Sequence, residues 1–220
     1  MNGNRDNASL RQLPTVAAPT SAAAEAYRTV AVNLRYGGDE PRPKTIVFSG
    51  AGNREDTSNA IANVAVAAAQ SNAQVVLIDA DLKHPALHQI FGTSNDQGLT
   101  SLAAGLSGEM LVHETEIEGL KLVTTGPPIP NPSEVLSSTT VARFLERLRS
   151  DADLVLVDAP PVLAAADTSI LAATLDGVIL VVDGKRTRRQ DARRAKEQLE
   201  RVNARILGVL LHNARLGAEG

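Results

Sequence analysis

Three apolar runs in this chain end in aspartate. Residues 75–78, Val-Val-Leu-Ile, lead into Asp79, with Asp81 two places on; residues 154–157 lead into Asp158; residues 178–182 lead into Asp183. Carboxylates at the ends of buried strands suit Mg²⁺, which takes one or two carboxylates plus waters and phosphate oxygens. A single strand-end aspartate also serves simply to cap the next turn. What raises these above caps is the segment ahead of them. Residues 45–50 run Thr-Ile-Val-Phe-Ser-Gly, Gly52 follows, and an Ala-rich segment without proline covers 60–70. Strand, glycine turn and helix is the layout that turns helix N-terminal N–H groups toward an anion. Gly50, Gly52, Arg54, Thr57, Ser58 and Asn59 are therefore the candidate phosphate-binding residues. Ser58, Asp79 and Asp158 are the candidate Mg²⁺ ligands.

The loop chemistry is incomplete. A phosphate-binding loop reads G-x-x-x-x-G-K-[ST]. Counted back from Ser58, the lysine position holds Thr57 and the last glycine position holds Asp56. Losing the lysine removes a charge-assisted contact to phosphate, about 1.5–3 kcal/mol. Asp56 adds a carboxylate close to where phosphates would lie. Arg54 or Lys83 could act as the phosphate cation instead, though a planar guanidinium approaches from another position than a lysine.

These residues need a scaffold that brings strand ends to one edge. Uniformly apolar strands at 46–48, 75–78, 120–124, 154–157, 178–182 and 206–211 alternate with helical segments at 22–34, 60–70, 140–149, 164–175 and 188–202. That alternation predicts an α/β fold with a mainly parallel, doubly wound sheet and helices on both faces. Ligands of such sheets bind at the carboxyl ends of the strands, where the glycine turn and the aspartates gather. In the last helix Ala192, Ala195, Leu199 and Val202 form an apolar stripe at helical spacing.

Composition narrows the functions. The chain has 220 residues, 43% hydrophobic and only 2% aromatic, so the core is built of Ala, Val, Leu and Ile. A net charge of −3 argues against non-specific nucleic-acid binding. There is no cysteine, which excludes disulfides, thiolate metal sites and a cysteine nucleophile and suits the cytoplasm. Residues 58–78 carry no charge, but six Asn, Gln and Ser residues interrupt them and they read as helix, turn and strand, not a membrane span. Residues 1–20 read as a flexible tail, 21–213 as the domain and 214–220 as a short second tail. Ser21 or Thr20 is the expected N-cap of the first helix. The basic run Lys185, Arg186, Arg188, Arg189, Arg193, Arg194 reads as a solvated helix face balanced by Glu197 and Glu200; a phosphorylated partner or anionic lipid is the alternative.

The motifs resemble the cytoplasmic domain of the bacterial tyrosine autokinases of capsule and exopolysaccharide synthesis. These belong to the deviant P-loop ATPases that include the cell-division and plasmid-partition ATPases. The resemblance rests on Glu25-Ala26-Tyr27-Arg28, on Leu77-Ile78-Asp79-Ala80-Asp81-Leu82 followed by Pro85 and His88, and on Pro130-Asn131-Pro132-Ser133-Glu134-Val135-Leu136. Leu156-Val157-Asp158-Ala159-Pro160-Pro161 and Asp176-Gly177 extend it to most of residues 21–213.

The resemblance implies ATP and Mg²⁺ as cofactors. It implies that Asp81 helps activate the attacking tyrosine hydroxyl and that Glu25 and Arg28 lie at a homo-oligomer interface. It also implies a membrane-embedded polysaccharide co-polymerase as partner, recruiting the chain to the inner face of the membrane. Several family features are altered. Ala31 replaces the second arginine of the E-x-x-R-x-x-R pattern, Asp183 stands where a basic residue is usual, and residues 214–220 lack the tyrosines that receive phosphate in trans. Tyr27 and Tyr36 are the only tyrosines. Two readings stay open: a regulatory or scaffold subunit with impaired or lost phosphoryl transfer, and an active, divergent kinase or ATPase.

Overall fold

A computed structural model describes residues 9–37, 40–52 and 55–214. Its seven strands are β1 Thr45–Gly50, β2 Val75–Asp79, β3 Val112–Glu114, β4 Leu120–Val123, β5 Leu154–Ala159, β6 Gly177–Asp183 and β7 Ile206–His212. They form one sheet in the order β3-β4-β2-β5-β1-β6-β7. Only the short edge strand β3 runs antiparallel, to β4; every other pair is parallel. The mainly parallel doubly wound sheet expected from the apolar runs is therefore present. β1, β2 and β5 are buried at every position, which is why they read as unbroken apolar runs.

The helices are α1 Pro14–Ala17, α2 Ala22–Tyr36, α3 Thr57–Gln70, α4 Leu87–Ile90, α5 Pro132–Leu136, α6 Thr139–Asp151, α7 Asp167–Thr174 and α8 Arg189–Arg201. Two apolar layers sandwich the sheet. On one face α2 and α3 pack against Ile46, Phe48, Leu77 and Leu156. On the other, α6, α7 and α8 cover Val47, Ile78, Val157 and Leu180. α3 is buried almost all round; eleven of its residues are buried, and its small alanines let it lie close to the strands. In α8 the expected stripe is real, with Ala195 and Leu199 fully buried. Ser21 does cap α2, accepting from Ala24 N at 3.2 Å.

Residues 9–20 are not the tail their polar composition suggested. Leu10 and Leu13 are buried, and Val16 packs against the same core. Thr15 donates twice to Asn63 Oδ1 on α3, from its backbone N at 3.1 Å and from Oγ1 at 2.9 Å, and both residues are inaccessible. The segment docks because the spacing of Leu10, Leu13 and Val16 places them on one side of consecutive helical turns. Asn63→Ala strands two buried donors and should cost about 1–3 kcal/mol in urea unfolding. A loss within experimental error would show that this segment adds little to the fold.

Candidate active site

The parallel register places the carboxylates together. Asp79 at the end of β2 is the register partner of Asp158 on β5, and Asp158 is in turn the partner of Phe48 on β1. The loop after β1 is tied to its neighbours by Ala51 N to Val181 O at 2.9 Å and Val162 N to Gly50 O at 3.0 Å. Ser58, in the first turn of α3, donates from Oγ to Asp158 Oδ2 at 2.5 Å. Ser58, Asp79 and Asp158 thus lie on one edge, as their places in the sequence led one to expect.

The two carboxylates are held differently. Asp79 Oδ2 accepts the backbone N–H groups of Ala86 and Leu87, each at 3.0 Å, and so anchors the start of α4. Burial nevertheless dominates and pushes its carboxyl up to about 7. Asp158 is also raised well above the usual carboxylate range, by burial first and by the charge of Asp79 second, against the Ser58 bond. Two buried acids side by side, with a hydroxyl on one of them and no cationic partner among the described residues, make a donor set suited to a hard divalent cation. Asp81, with its side chain 15% exposed, accepts from His84 N at 3.1 Å and Lys83 N at 3.3 Å. It lies beside the pair, since its charge contributes to raising both.

The phosphate side of the edge is different. Asp56 is the N-cap of α3 and accepts from Asn59 N at 3.3 Å, and the Asn59 side-chain amide donates to both Asp56 oxygens at 2.9 and 2.8 Å. A carboxylate of the chain itself therefore satisfies the helix end that a phosphate would use. Thr57, in the lysine position, is nearly inaccessible. Glu55 lies over both glycines: a Cβ at Gly50 would stand 3.1 Å from its Oε2, and one at Gly52 3.1 Å from its Oε1. Thr187 Oγ1 donates to Glu55 Oε1, tying the loop to the segment after β6. The concavity above the glycines, which a phosphate chain requires, is lined by the chain's own acid. Arg54 lies outside the described residues.

Sequence reasoning missed the Thr187–Glu55 link and two others. Asp183 does not face a ligand; it is buried and accepts from Asn213 Nδ2 at 2.8 Å and Lys185 N at 2.8 Å. Burial opposes its charge, but these bonds win and hold its carboxyl below the usual range. Tyr27 Oη lies 2.9 Å from His212 Nδ1 at the end of β7. Burial, aided by the charge of Asp56, pushes the Tyr27 phenol up to about 12, so it stays neutral. Glu25 and Arg28 pair with each other at 2.8 Å on the surface of α2, and Arg28 also donates to Pro19 O at 2.6 Å.

The ParA family profile, described as NUBPL iron-transfer P-loop NTPase, matches residues 42–215. The tyrosine-protein kinase YwqD of Bacillus subtilis is 34% identical over 214 residues, 97% of this chain and 90% of YwqD. The chain belongs to the bacterial tyrosine-kinase family of ParA-like P-loop NTPases. Among solved structures, the kinase domain of the Escherichia coli tyrosine kinase ETK superposes with a TM-score of 0.88 at 27% identity, covering 94% of this chain and 82% of that one. The septum site-determining protein MinD of Pyrococcus horikoshii, complexed with Mg-ADP, shares the fold alone, with a TM-score of 0.65 at 19% identity over 76% of this chain and 69% of MinD. In this chain Ser58, Asp79 and Asp158 meet on one edge, and the loop beside them carries Asp56 and Thr57. No helix among the described residues is long and apolar enough to cross a membrane.

Proposed function

We propose that this chain is a tyrosine-kinase-like subunit of capsule or exopolysaccharide synthesis and export in which ATP-dependent phosphoryl transfer is impaired or lost. It acts as a regulatory or scaffold component in the cytoplasm, recruited to the inner face of the membrane by a membrane-embedded co-polymerase. The observation that carries this reading is the carboxylate of Asp56 capping α3 in the place of the loop's last glycine, followed by Thr57 in place of lysine. Phosphoryl transfer is mostly positioning and charge neutralisation. A loop that presents two acids and no lysine opposes both.

The metal half of the site supports the second reading, an active divergent kinase or ATPase. Ser58 and Asp158, with Asp79 behind them, would hold Mg²⁺, which when bound neutralises charge on phosphate oxygens. In that reading Asp81 accepts the proton of an attacking tyrosine hydroxyl. Gly50, Gly52, Thr57 and Asn59 would contribute backbone and side-chain contacts to the nucleotide.

Isothermal titration separates the readings. The unmodified chain should bind MgATP no tighter than about millimolar, a binding free energy no more favourable than about −4 kcal/mol. Micromolar binding would overturn the proposal. Assembly follows the same logic. The Glu25–Arg28 pair closes within one chain and lies exposed, where such pairs contribute about 0–1 kcal/mol. Light scattering at micromolar concentration should find a monomer or weak self-association. A stable ring lost on Arg28→Ala would show that the interface is intact.

A further inference from the structure

The two edges of the sheet are built differently. β3, at one edge, is three residues long and antiparallel to its neighbour, and its Glu114 pairs with Lys121 on β4 at 2.9 Å. Short strands and charged side chains keep a sheet edge from pairing with other chains. β7, at the other edge, has seven residues, and 206–211 carry neither charge nor proline. Among the described residues β6 is its only strand neighbour. Val209 and Leu211, two places apart and so on one face, are 61% and 58% exposed. A long apolar edge with a row of unpaired N–H and C=O groups is a template for another extended backbone.

A groove of about 580 Å³ runs alongside, between α2 and β7. Val30 and Leu34 of α2, with Pro43 and Ile179, give it apolar walls. Gly208 keeps it open, since a Cβ there would meet only Ile179 Cδ1, at 3.8 Å. Arg205, just ahead of β7, is the only charged residue in the lining. It is exposed and enters no ion pair among the described residues, and the acids of the flanking segments are taken elsewhere. Glu40 pairs with Arg42 at 2.8 Å, Asp176 with Arg149 at 3.2 Å, and Glu200 with Lys196. The groove is therefore apolar along its length and positive at one end.

We infer that the β7 edge is a docking site for an extended, largely apolar segment of a partner protein, which adds to the sheet as an eighth strand and carries a carboxylate where it passes Arg205. Antiparallel pairing is slightly more stable per residue, and it puts that acid at the C-terminal end of the segment. Alternate side chains of the added strand enter the groove over Gly208, and the others lie beside Val209 and Leu211. Backbone hydrogen bonds supply the affinity, while the groove and Arg205 supply the choice of partner. Arg205 stands at the amino end of β7, opposite the edge that carries Asp79 and Asp158, so docking there is independent of MgATP.

The probe is the fluorescein-labelled, amidated peptide Ser-Thr-Val-Thr-Val-Thr-Glu, followed by fluorescence anisotropy on the full chain in buffer without nucleotide. Saturable binding is the expected result. Val209→Lys combined with Leu211→Lys should weaken it about tenfold, the loss expected for two apolar cross-strand pairs. Arg205→Ala, or glutamine in place of the peptide's glutamate, should weaken it about two- to fivefold, the range of an exposed ion pair. The two changes together should do no more than either alone, because they remove the same contact. All three side chains are exposed, and urea unfolding should show a fold close to the parent's. Hydrogen exchange should slow in β7 when the peptide is bound, which contacts between side chains alone would not produce. Absence of binding, binding untouched by the double substitution, equal affinity of the glutamate and glutamine peptides, or unchanged exchange in β7 would each overturn the inference. So would a dimer of the chain, seen by light scattering, that the double substitution dissolves, because the edge would then belong to a second copy.

Discussion

Asp56→Gly combined with Thr57→Lys should raise the affinity for MgATP by about ten- to a hundredfold. A charge-assisted contact from lysine to phosphate is worth about 1.5–3 kcal/mol, and each 1.4 kcal/mol is about tenfold. The same change removes the carboxylate that accepts from Asn59 and caps α3, freeing the helix N-terminus for phosphate. The fold should tolerate the loss of the Asp56 cap. Replacing an aspartate N-cap by glycine costs only a few tenths of a kcal/mol. α3 is anchored by its buried alanines, Ile61 and Val64, none of which is touched. Calorimetric titration of the unmodified and rebuilt chains side by side is the measurement. Equal affinities would mean that the deficit lies elsewhere, with the Glu55 carboxylate over Gly50 and Gly52 the next residue to change.

The sequence revealed the acidic half of this site more fully than the phosphate half, for a physical reason. Asp79 and Asp158 end continuous apolar strands, and in a parallel sheet adjacent strand ends must meet, so their proximity follows from pattern alone. The position of Glu55 does not. It depends on Thr187, 132 residues away, and on where a long side chain comes to rest. Asp183 misled for a similar reason. Its place after a strand suggested the ligand edge, but the positive-φ residue Asn213 turns its amide back onto the carboxylate and makes it the anchor of a turn. β3 carries three residues against β4, too short for any periodicity to register. The docking of Leu10 and Leu13 was visible as spacing but hidden by the polar residues around them. The composition of residues 9–20 is set by their exposed positions and says nothing of the few side chains that pack.

In Mg²⁺-free buffer the protein should lose stability between pH 5 and pH 8, and Asp158→Asn should remove the part of that loss that Asp158 contributes, leaving the part due to the buried Asp79. Asp79 and Asp158 are inaccessible neighbours, and burial raises both carboxyls, Asp79 to about 7. In the unfolded chain they titrate near about 3.9. The sign is the reverse of the usual carboxylate case. Between the unfolded and folded values the native state holds more protons, so raising the pH favours unfolding. The contribution of this pair is greatest near or below about pH 4, falls as the pH rises toward 7, and levels off once both acids are ionised in the native state too. The two acids titrate as a pair, so the loss belongs to both together. The amide that Asp158→Asn introduces still offers an oxygen to the Ser58 hydroxyl and carries no charge to repel Asp79. The variant should therefore be more stable than the parent at pH 8 and close to it at pH 5, by urea unfolding at both values. If Mg²⁺ binds here, Asp158→Asn should also abolish the magnesium-dependent part of any ATP binding. A parent protein whose stability is flat from pH 5 to 8 would mean that the pair is neutralised by something other than protons, and the assignment of Asp79 and Asp158 as an acid pair awaiting a cation would fall. Nucleotide binding unchanged by the substitution would reduce Asp158 to a partner for Ser58.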